Sequence, residues 1–395
     1  MQDVNNGAAL AAGAMGASTP TMLRERVDAV WRRLPPAFDG DGAHQLTTKD
    51  VLKAFAKEGL LDLDFLDPNA SSVPPSDLRR AATTIGLLAE RSGTLASIFM
   101  VNGLLASAVI TMEGTREQKQ QLLPRLRAGN LELAFALTEP EAGSDAAGIL
   151  TTASASGNGV ALKGQKIYTT GAASADWIVV VARDAAQAAN KRAVGLFLVP
   201  KGTPGVTVEP LEKLSANLHP SCRVTLDDVQ LGLDQVVGGH ARIGAAWNTL
   251  RATGTMERLI VAAVAHGLAR SVVNRALEFA KSRRQFGQAI TAFQAIQHAL
   301  VEMQTLEKAM QLFVENAISA LEQGSDATQE VCMAKYFCAE QLQAIVGLGM
   351  RVMGGRGYFG FEDMSRYYRE APFSLYAGGT VEIQKMLIAR TMGIG

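Results

Sequence analysis

The period of the apolar residues changes twice along this chain, and the two changes bound the folds it can adopt. Up to about residue 132 the apolar positions recur at helical spacing between clear start and stop signals. Thr47 and Thr48 open a helix that Gly59 closes, Pro74-Pro75-Ser76-Asp77 opens another, and Thr115 with Gln118 makes a capping box. From Leu133 to about Leu233 come short β-rich runs, among them Gly159 to Gly164, Asp176 to Ala182, Ala193 to Val199 and Val206 to Glu209, split by Gly, Pro, Asn and Asp. No helical run alternates with them, which argues against a parallel βαβ sheet and for a compact antiparallel sheet or barrel. After Gly239 the helical period returns and holds almost to the end. The expected fold is mainly α with an inserted β-barrel: a helical domain over 1–132, with 1–19 a loose tail, a barrel over 133–239 and a helical region over 240–395.

Composition narrows the class. The 38 basic and 38 acidic side chains cancel, which argues against nucleic acid as the main partner. Cys222, Cys332 and Cys338 are too few for a disulfide framework and suit a reducing, cytoplasmic compartment. The N-terminus has no basic residue ahead of its apolar patch, so it reads poorly as a signal peptide. Ser92 to Met112 carries no charge and is long enough to span a bilayer, but it includes Thr94, Asn102, Gly103 and Ser107 and lacks a polybasic flank. A helix buried on all sides, with no membrane span, is the expectation.

One stretch of the C-terminal region stands out. Arg251 to Gly287 reads as a single helix with an apolar stripe at Ile260, Val261, Val264, Leu268 and Val272. Its polar ends are Glu257-Arg258 and Lys281-Ser-Arg283-Arg284-Gln285-Phe286-Gly287. The next helix carries Phe293, Ile296, Leu300, Met303, Leu306, Met310 and Phe313, the seam of a helix packed lengthwise on neighbours.

Several motif-like runs carry no chemistry. Gly355-Arg-Gly357-Tyr-Phe-Gly360 has the letters of a dinucleotide loop but follows a helix and opens no βαβ unit. Gly159 to Lys166 fails as a P-loop at Gln165, and no Gly-x-Ser-x-Gly elbow occurs. His298 and Glu302 lie four apart, but His44, His219, His240 and His266 supply no third ligand by spacing, so no metal site is expected.

Leu137-Thr138-Glu139-Pro140-Glu141-Ala142-Gly143-Ser144-Asp145 leads a strand into a turn that presents hydroxyls and backbone N–H groups. Those donors suit a flat heteroaromatic cofactor, and on chemistry alone a tight turn fits equally well. With Phe135-Ala136 before it, the run resembles the flavin-binding signature of the acyl-CoA dehydrogenase family. Leu162 to Gly171 resembles the family segment that sets an aromatic ring and a Thr against the flavin, with Tyr168 where Trp is usual. Ser282 to Gly287 with Phe293-Gln294 resembles the segment reaching a neighbouring subunit's FAD. Met353 to Tyr358, Arg369-Glu370-Ala371 and Gly378 to Gln384 resemble the family's C-terminal signatures.

The resemblance implies a helical domain, a β-barrel and a four-helix bundle. It further implies FAD as cofactor, an acyl-CoA or acyl-carrier-protein substrate, electron-transferring flavoprotein as redox partner, and a homotetramer or homodimer. The implied FAD contacts are Phe135, Leu137, Thr138, Gly143, Ser144, Tyr168, Thr170, Arg283, Gln285, Phe286, Gln294, Arg351, Gly355, Thr380 and Glu382. The implied substrate contacts are Ser144, Arg258, Gly378 and Gly379.

Besides Tyr168, three positions depart from the family pattern: Arg351 stands where Gln is normal, Thr255 where an acid often holds the pantetheine arm, and Gly378 where many members carry a catalytic Glu. The family's reaction removes the α-proton of an acyl thioester while a hydride leaves the β-carbon, so a carboxylate must reach the α-carbon. A subgroup resembling isovaleryl-CoA dehydrogenases places that Glu on the bundle helix in a Glu-Arg pair, which Glu257-Arg258 matches. The resemblance thus makes Glu257 the base and the Gly378 N–H an oxyanion donor. Same-fold alternatives are action on carrier-bound acyl groups and the reductive direction. A non-catalytic flavin-fold protein is the alternative of a different class.

Overall fold

The computed structural model describes residues 19–35, 46–324, 326–360 and 362–394. Residues 1–18 of the expected tail, and His44, lie outside the described residues. Thr19 belongs to the fold: its hydroxyl accepts the Met22 N–H and caps the first helix.

The leading layer is α1 (Pro20–Arg33), α2 (Thr48–Lys57), α3 (Pro75–Arg91), α4 (Gly93–Phe99), α5 (Ala106–Glu113) and α6 (Arg116–Arg127). Thr47 caps α2 in a capping box with Asp50, and Thr115 caps α6 with Gln118. A π-helical turn, Met100–Leu105, joins α4 to α5. The run Gly93–Glu113 is long and apolar enough to cross a membrane, but 89% of its most apolar stretch is buried inside the fold. It is the core helix of this layer. Within its π turn Asn102 donates to the Ile98 carbonyl (3.1 Å) and accepts the Leu133 N–H (2.7 Å), tying the helices to the first strand.

The sheet holds β1 (Leu133–Ala136), β2 (Thr152–Ser156), β3 (Gly159–Thr170), β4 (Trp177–Asp184), β5 (Val194–Pro200), β6 (Val206–Leu211) and β7 (Ser221–Gly232). It is a curled half-barrel in the order β1-β4-β2-β3-β7-β6, with β5 on the other side of β4. The expected all-antiparallel pairing is met by the hairpins, whereas β4 pairs in parallel with both β1 and β2. A whole hairpin separates β1 from β4, and a connection of that length can return a strand in the same direction.

The C-terminal region comprises α7 (Trp247–Ser282), a hairpin of β8 (Arg284–Gln285) and β9 (Gln288–Ala289), α8 (Gln294–Glu322), α9 (Thr328–Met353), α10 (Gly355–Tyr358), α11 (Asp363–Glu370), α12 (Phe373–Tyr376) and α13 (Val381–Thr391). The expected helix over 251–287 thus begins earlier and stops at Ser282. Phe286 (φ 52°) and Gly287 (φ 79°) occupy the turn between β8 and β9, the left-handed pair a two-residue hairpin requires.

α7 is not a one-sided amphipathic helix, since every residue from Leu259 to Ala265 is buried. α3, α8 and α9 all pack on it. Its Ala and Gly positions, weak in a hydrophobic pattern, are the ones that allow this. A Cβ on Gly267 would lie 2.0 Å from the Gly86 carbonyl oxygen of α3. On α8, Met303 and Met310 are fully buried, while Ile296, Leu300, Leu306 and Phe313 are only partly covered.

Candidate active site

The site is built where α7, α9 and the turn before α13 meet. Glu257 lies in the third turn of α7; part of its surface stays open, while its carboxyl group sits deep among protein atoms. Against it lies the Gly378-Gly379 turn, with φ of 66° and 88°. A Cβ on Gly378 would stand 3.5 Å from Glu257 Cγ. The two positions that the family likeness pairs, 121 apart in the chain, are therefore in contact. Burial raises the Glu257 pKa above the usual carboxylate value; the charges of Arg258 and Lys335 and the Gly378 N–H oppose that rise without cancelling it. No ion pair joins Glu257 to Arg258. The Arg258 guanidinium instead lies back over Gly254, where an added Cβ would be 3.7 Å away, and its buried Nε has no hydrogen-bond partner.

Lys335 and Gln384 complete the site; Lys335 lies outside the signature runs, and Gln384 ends the run from Gly378 with no contact assigned to it. Lys335 has no exposed surface and donates to the carbonyls of Leu375 (3.2 Å) and Gly379 (2.5 Å). Gln384, equally buried, donates to the carbonyls of Gly378 (3.1 Å) and Gly379 (3.0 Å). A lone cation within the apolar run of α9, between Val331-Cys332 and Cys338-Ala339, was the available signal for Lys335. Thr380 caps α13 by accepting the Ile383 N–H, and Glu382 is exposed in its first turn.

On the sheet side, β1 carries Phe135, partly buried, and runs into Leu137 and Thr138, with Gly143 and Ser144 exposed on the following loop. The loop is fixed from beneath by Glu139, which accepts from Lys166 Nζ (2.7 Å) and the Leu150 and Thr151 N–H groups (2.5 and 2.9 Å). Lys166 also donates to the Leu137 carbonyl (3.0 Å). Just beyond Lys166 the β3–β7 register shifts, and Tyr168 takes φ 59°. This bulge turns the Tyr168 ring outward, 65% exposed, and Tyr376 of α12 is exposed as well. Thr170 shares a hydrogen bond with Ser221 (2.9 Å).

A second cleft, of about 490 Å³, lies at the far end of α7. Arg283, Gln285, Phe286, Phe293, Gly354, Gly355 and Arg356 line it. Phe286 is 92% exposed and meets Phe293 edge-on. Gln294 is exposed nearby at the start of α8, whereas Arg351 is exposed on the last turn of α9 outside the lining. Arg356, inside the Met353–Tyr358 run but not among the implied FAD contacts, lines the cleft instead. At about 1.5 Å rise per residue, Glu257 and Arg283 stand roughly 39 Å apart along one helix. No single small site within one chain includes both.

These features fit a dinucleotide flavin. Exposed loop donors and an outward aromatic ring suit an isoalloxazine, and a glycine-lined cleft with two arginines and an exposed Phe suits a pyrophosphate and an adenine. A helical layer, a half-barrel and a helical bundle arranged around such groups define a flavoprotein oxidoreductase. Residues 134–229 match the acyl-CoA dehydrogenase middle domain and residues 245–393 the acyl-CoA dehydrogenase C-terminal domain. A 3-(aryl)acrylate reductase of Clostridium sporogenes is 33% identical over 347 residues, 87% of this chain and 90% of the reductase. Butyryl-CoA dehydrogenase of Megasphaera elsdenii, at 24% identity, shares the fold with a TM-score of 0.85 over 96% of this chain and 100% of its own. The FAD complex of PigA superposes with a TM-score of 0.83 at 25% identity, over 96% of this chain and 100% of that one. The chain belongs to the acyl-CoA dehydrogenase family; it is an FAD enzyme and an oxidoreductase acting on CH–CH bonds.

Proposed function

We propose that the chain oxidises the α,β bond of an acyl-CoA thioester, with Glu257 as the base for the α-proton. The observation that carries this reading is the contact between Glu257 and Gly378. The glycine leaves room beside the carboxylate, and no other carboxylate stands at that turn. Burial raises the basicity of Glu257, and no ion pair locks its charge in place. The Gly378 N–H, which faces Glu257 from a left-handed turn, would serve a bound thioester as donor to the oxygen that becomes negative as the proton leaves. When bound, FAD supplies the hydride acceptor. Thr138, Gly143, Ser144, Tyr168 and Thr170 would hold its ring; Arg283, Gln285, Phe286 and Gly355, with Arg356, would hold the dinucleotide end of a second copy's FAD.

The roughly 39 Å along α7, and the half-covered seam of α8, support a homo-oligomer in which each copy completes another's cofactor site. Electron-transferring flavoprotein is the proposed redox partner, and three buried free cysteines fit a cytoplasmic setting. Thr255 donates to the Arg251 carbonyl of its own helix (3.2 Å).

A second reading runs the same chemistry in reverse. The 33%-identical reductase favours it, as do the exposed rings of Tyr168 and Tyr376, which suit a β-aryl acyl group. Protonated Glu257 would then deliver its proton to the α-carbon. Anaerobic titration separates the two readings: a saturated acyl-CoA bleaches the flavin absorbance if the chain oxidises. Reoxidation of the reduced enzyme by a β-aryl enoyl substrate, with no bleaching by saturated thioesters, favours reduction. A protein that binds FAD and responds to neither overturns both.

A further inference from the structure

Lys335 is buried without a carboxylate bonded to it, and the residues around it show what it does. Its neighbours on α9, Val331, Cys332, Ala334, Cys338 and Ala339, are all buried core positions. A cation there is costly unless its protons are used. Two are, on the carbonyls of Leu375 and Gly379, while Gln384 takes the carbonyls of Gly378 and Gly379 from the α13 side. In a planar trans peptide the C=O and N–H point opposite ways. Drawing the Gly378 and Gly379 carbonyls inward therefore aims the Gly379 and Thr380 N–H groups away from the core. The Gly378 N–H is left facing Glu257. Both glycines lie at positive φ, so their flexible backbone needs such anchors to hold one orientation.

We propose that Lys335 is a positioning residue of the reaction: it holds the Gly378–Thr380 turn against Glu257 and sets a buried positive charge on the α9 side of that carboxylate. This rests on Glu257 being the base. The charged and titratable groups facing the pair are few. Arg258 and Lys335 act on Glu257; Glu257, Glu382, Arg258 and Cys332 act on Lys335. Burial brings the Lys335 ammonium down to about 8, with the two glutamates opposing. Arg258 stays in place when Lys335 is replaced, so removing the Lys335 charge shifts the titration of Glu257 without abolishing its ionisation.

The test uses full-length holoenzyme carrying Lys335→Gln, which keeps a donor without charge, and Lys335→Arg, which keeps charge on a different head. Lys335→Gln should move the acid limb of the kcat–pH profile up by about one pH unit. Lys335→Arg should leave the limb in place and lower kcat about tenfold, as expected for a misplaced site. A second measurement does not depend on activity. At pH 7 Lys335→Gln should lower the thermal midpoint more in the wild-type background than alongside Glu257→Gln, because the charge pair is already gone in the latter. An unmoved acid limb together with equal midpoint losses in both backgrounds overturns the proposal. If Lys335→Gln does not fold, Lys335→Arg decides: a shifted limb overturns the proposal, and an unshifted limb with reduced kcat supports it. Retention of activity by Glu257→Gln alone would instead remove the base assignment.

Discussion

Two buried glutamate–lysine sites, one under the flavin-signature loop and one between α7 and α9, use the same residue types to opposite effect. In the sheet, Glu139 and Lys166 bond each other at 2.7 Å, and Glu139 also takes two backbone N–H groups. Burial pushes Glu139 up, but the Lys166 charge and the N–H donors outweigh it, and the carboxyl ends below its usual value. Between the helices, Lys335 spends its protons on backbone carbonyls and leaves Glu257 without an ion pair, so the carboxyl ends above its usual value. Both lysines are brought down to about 8 by burial. The lesson concerns commitment: a buried carboxylate whose cation is bonded to it becomes structure, and one whose cation is bonded elsewhere stays free to accept a proton.

The largest expected effect sharpens the second half of that contrast. Glu257→Gln should retain FAD and thioester binding yet reduce the rate of flavin bleaching about 10³-fold, read by anaerobic stopped flow. Glu139→Gln should lose far less activity once folded. Next in size, Lys166→Met strands the Glu139 charge in the sheet and should cost about 3–5 kcal/mol of stability, seen as a lower denaturant midpoint. A variant as stable as the wild type would break the claim that this pair is structural. Gly378→Ala forces a side chain into a left-handed conformation beside Glu257 and should cost about 1–2 kcal/mol. Thermal melting reads that loss, and kcat should fall with it.

The smallest effect is the most diagnostic, because its sign differs between the sites. Glu139 has a depressed folded pKa, so its contribution is present above the unfolded value of 4.5 and is lost as pH falls through the folded one. Glu257 has a raised folded pKa, so the folded state holds the proton more tightly and stability falls as pH rises from 4.5 through the folded value. At pH 7, Glu257→Gln should therefore raise the thermal midpoint and Glu139→Gln lower it. The gain from Glu257→Gln should vanish below pH 4.5, where the wild-type carboxyl is neutral in both states. A gain that persists at pH 4 would show that the substitution acts through packing. The raised pKa also means that the oxidative rate should climb with pH through a value above 4.5.

The sequence by itself determined the order of helical layer, sheet and helical bundle, because hydrophobic period is a local property that burial on one face imposes on every element. It also determined the caps at Thr47 and Thr115, which depend on residues three or four apart. It named Glu257 and Gly378 as a compensating pair only through family likeness, since 121 positions separate them. What tertiary structure decided are the facts that depend on distant backbone. These include the parallel pairing of β4, the burial of α7 on nearly all sides through small residues, and the positive φ that turns Tyr168 and Phe286 outward. They also include which lysine is bonded to which glutamate. As letters, neither Lys166 nor Lys335 shows what its ammonium bonds. Only the path of the chain brings a carboxylate to one ammonium and two carbonyls to the other, and that choice separates a strut from a base.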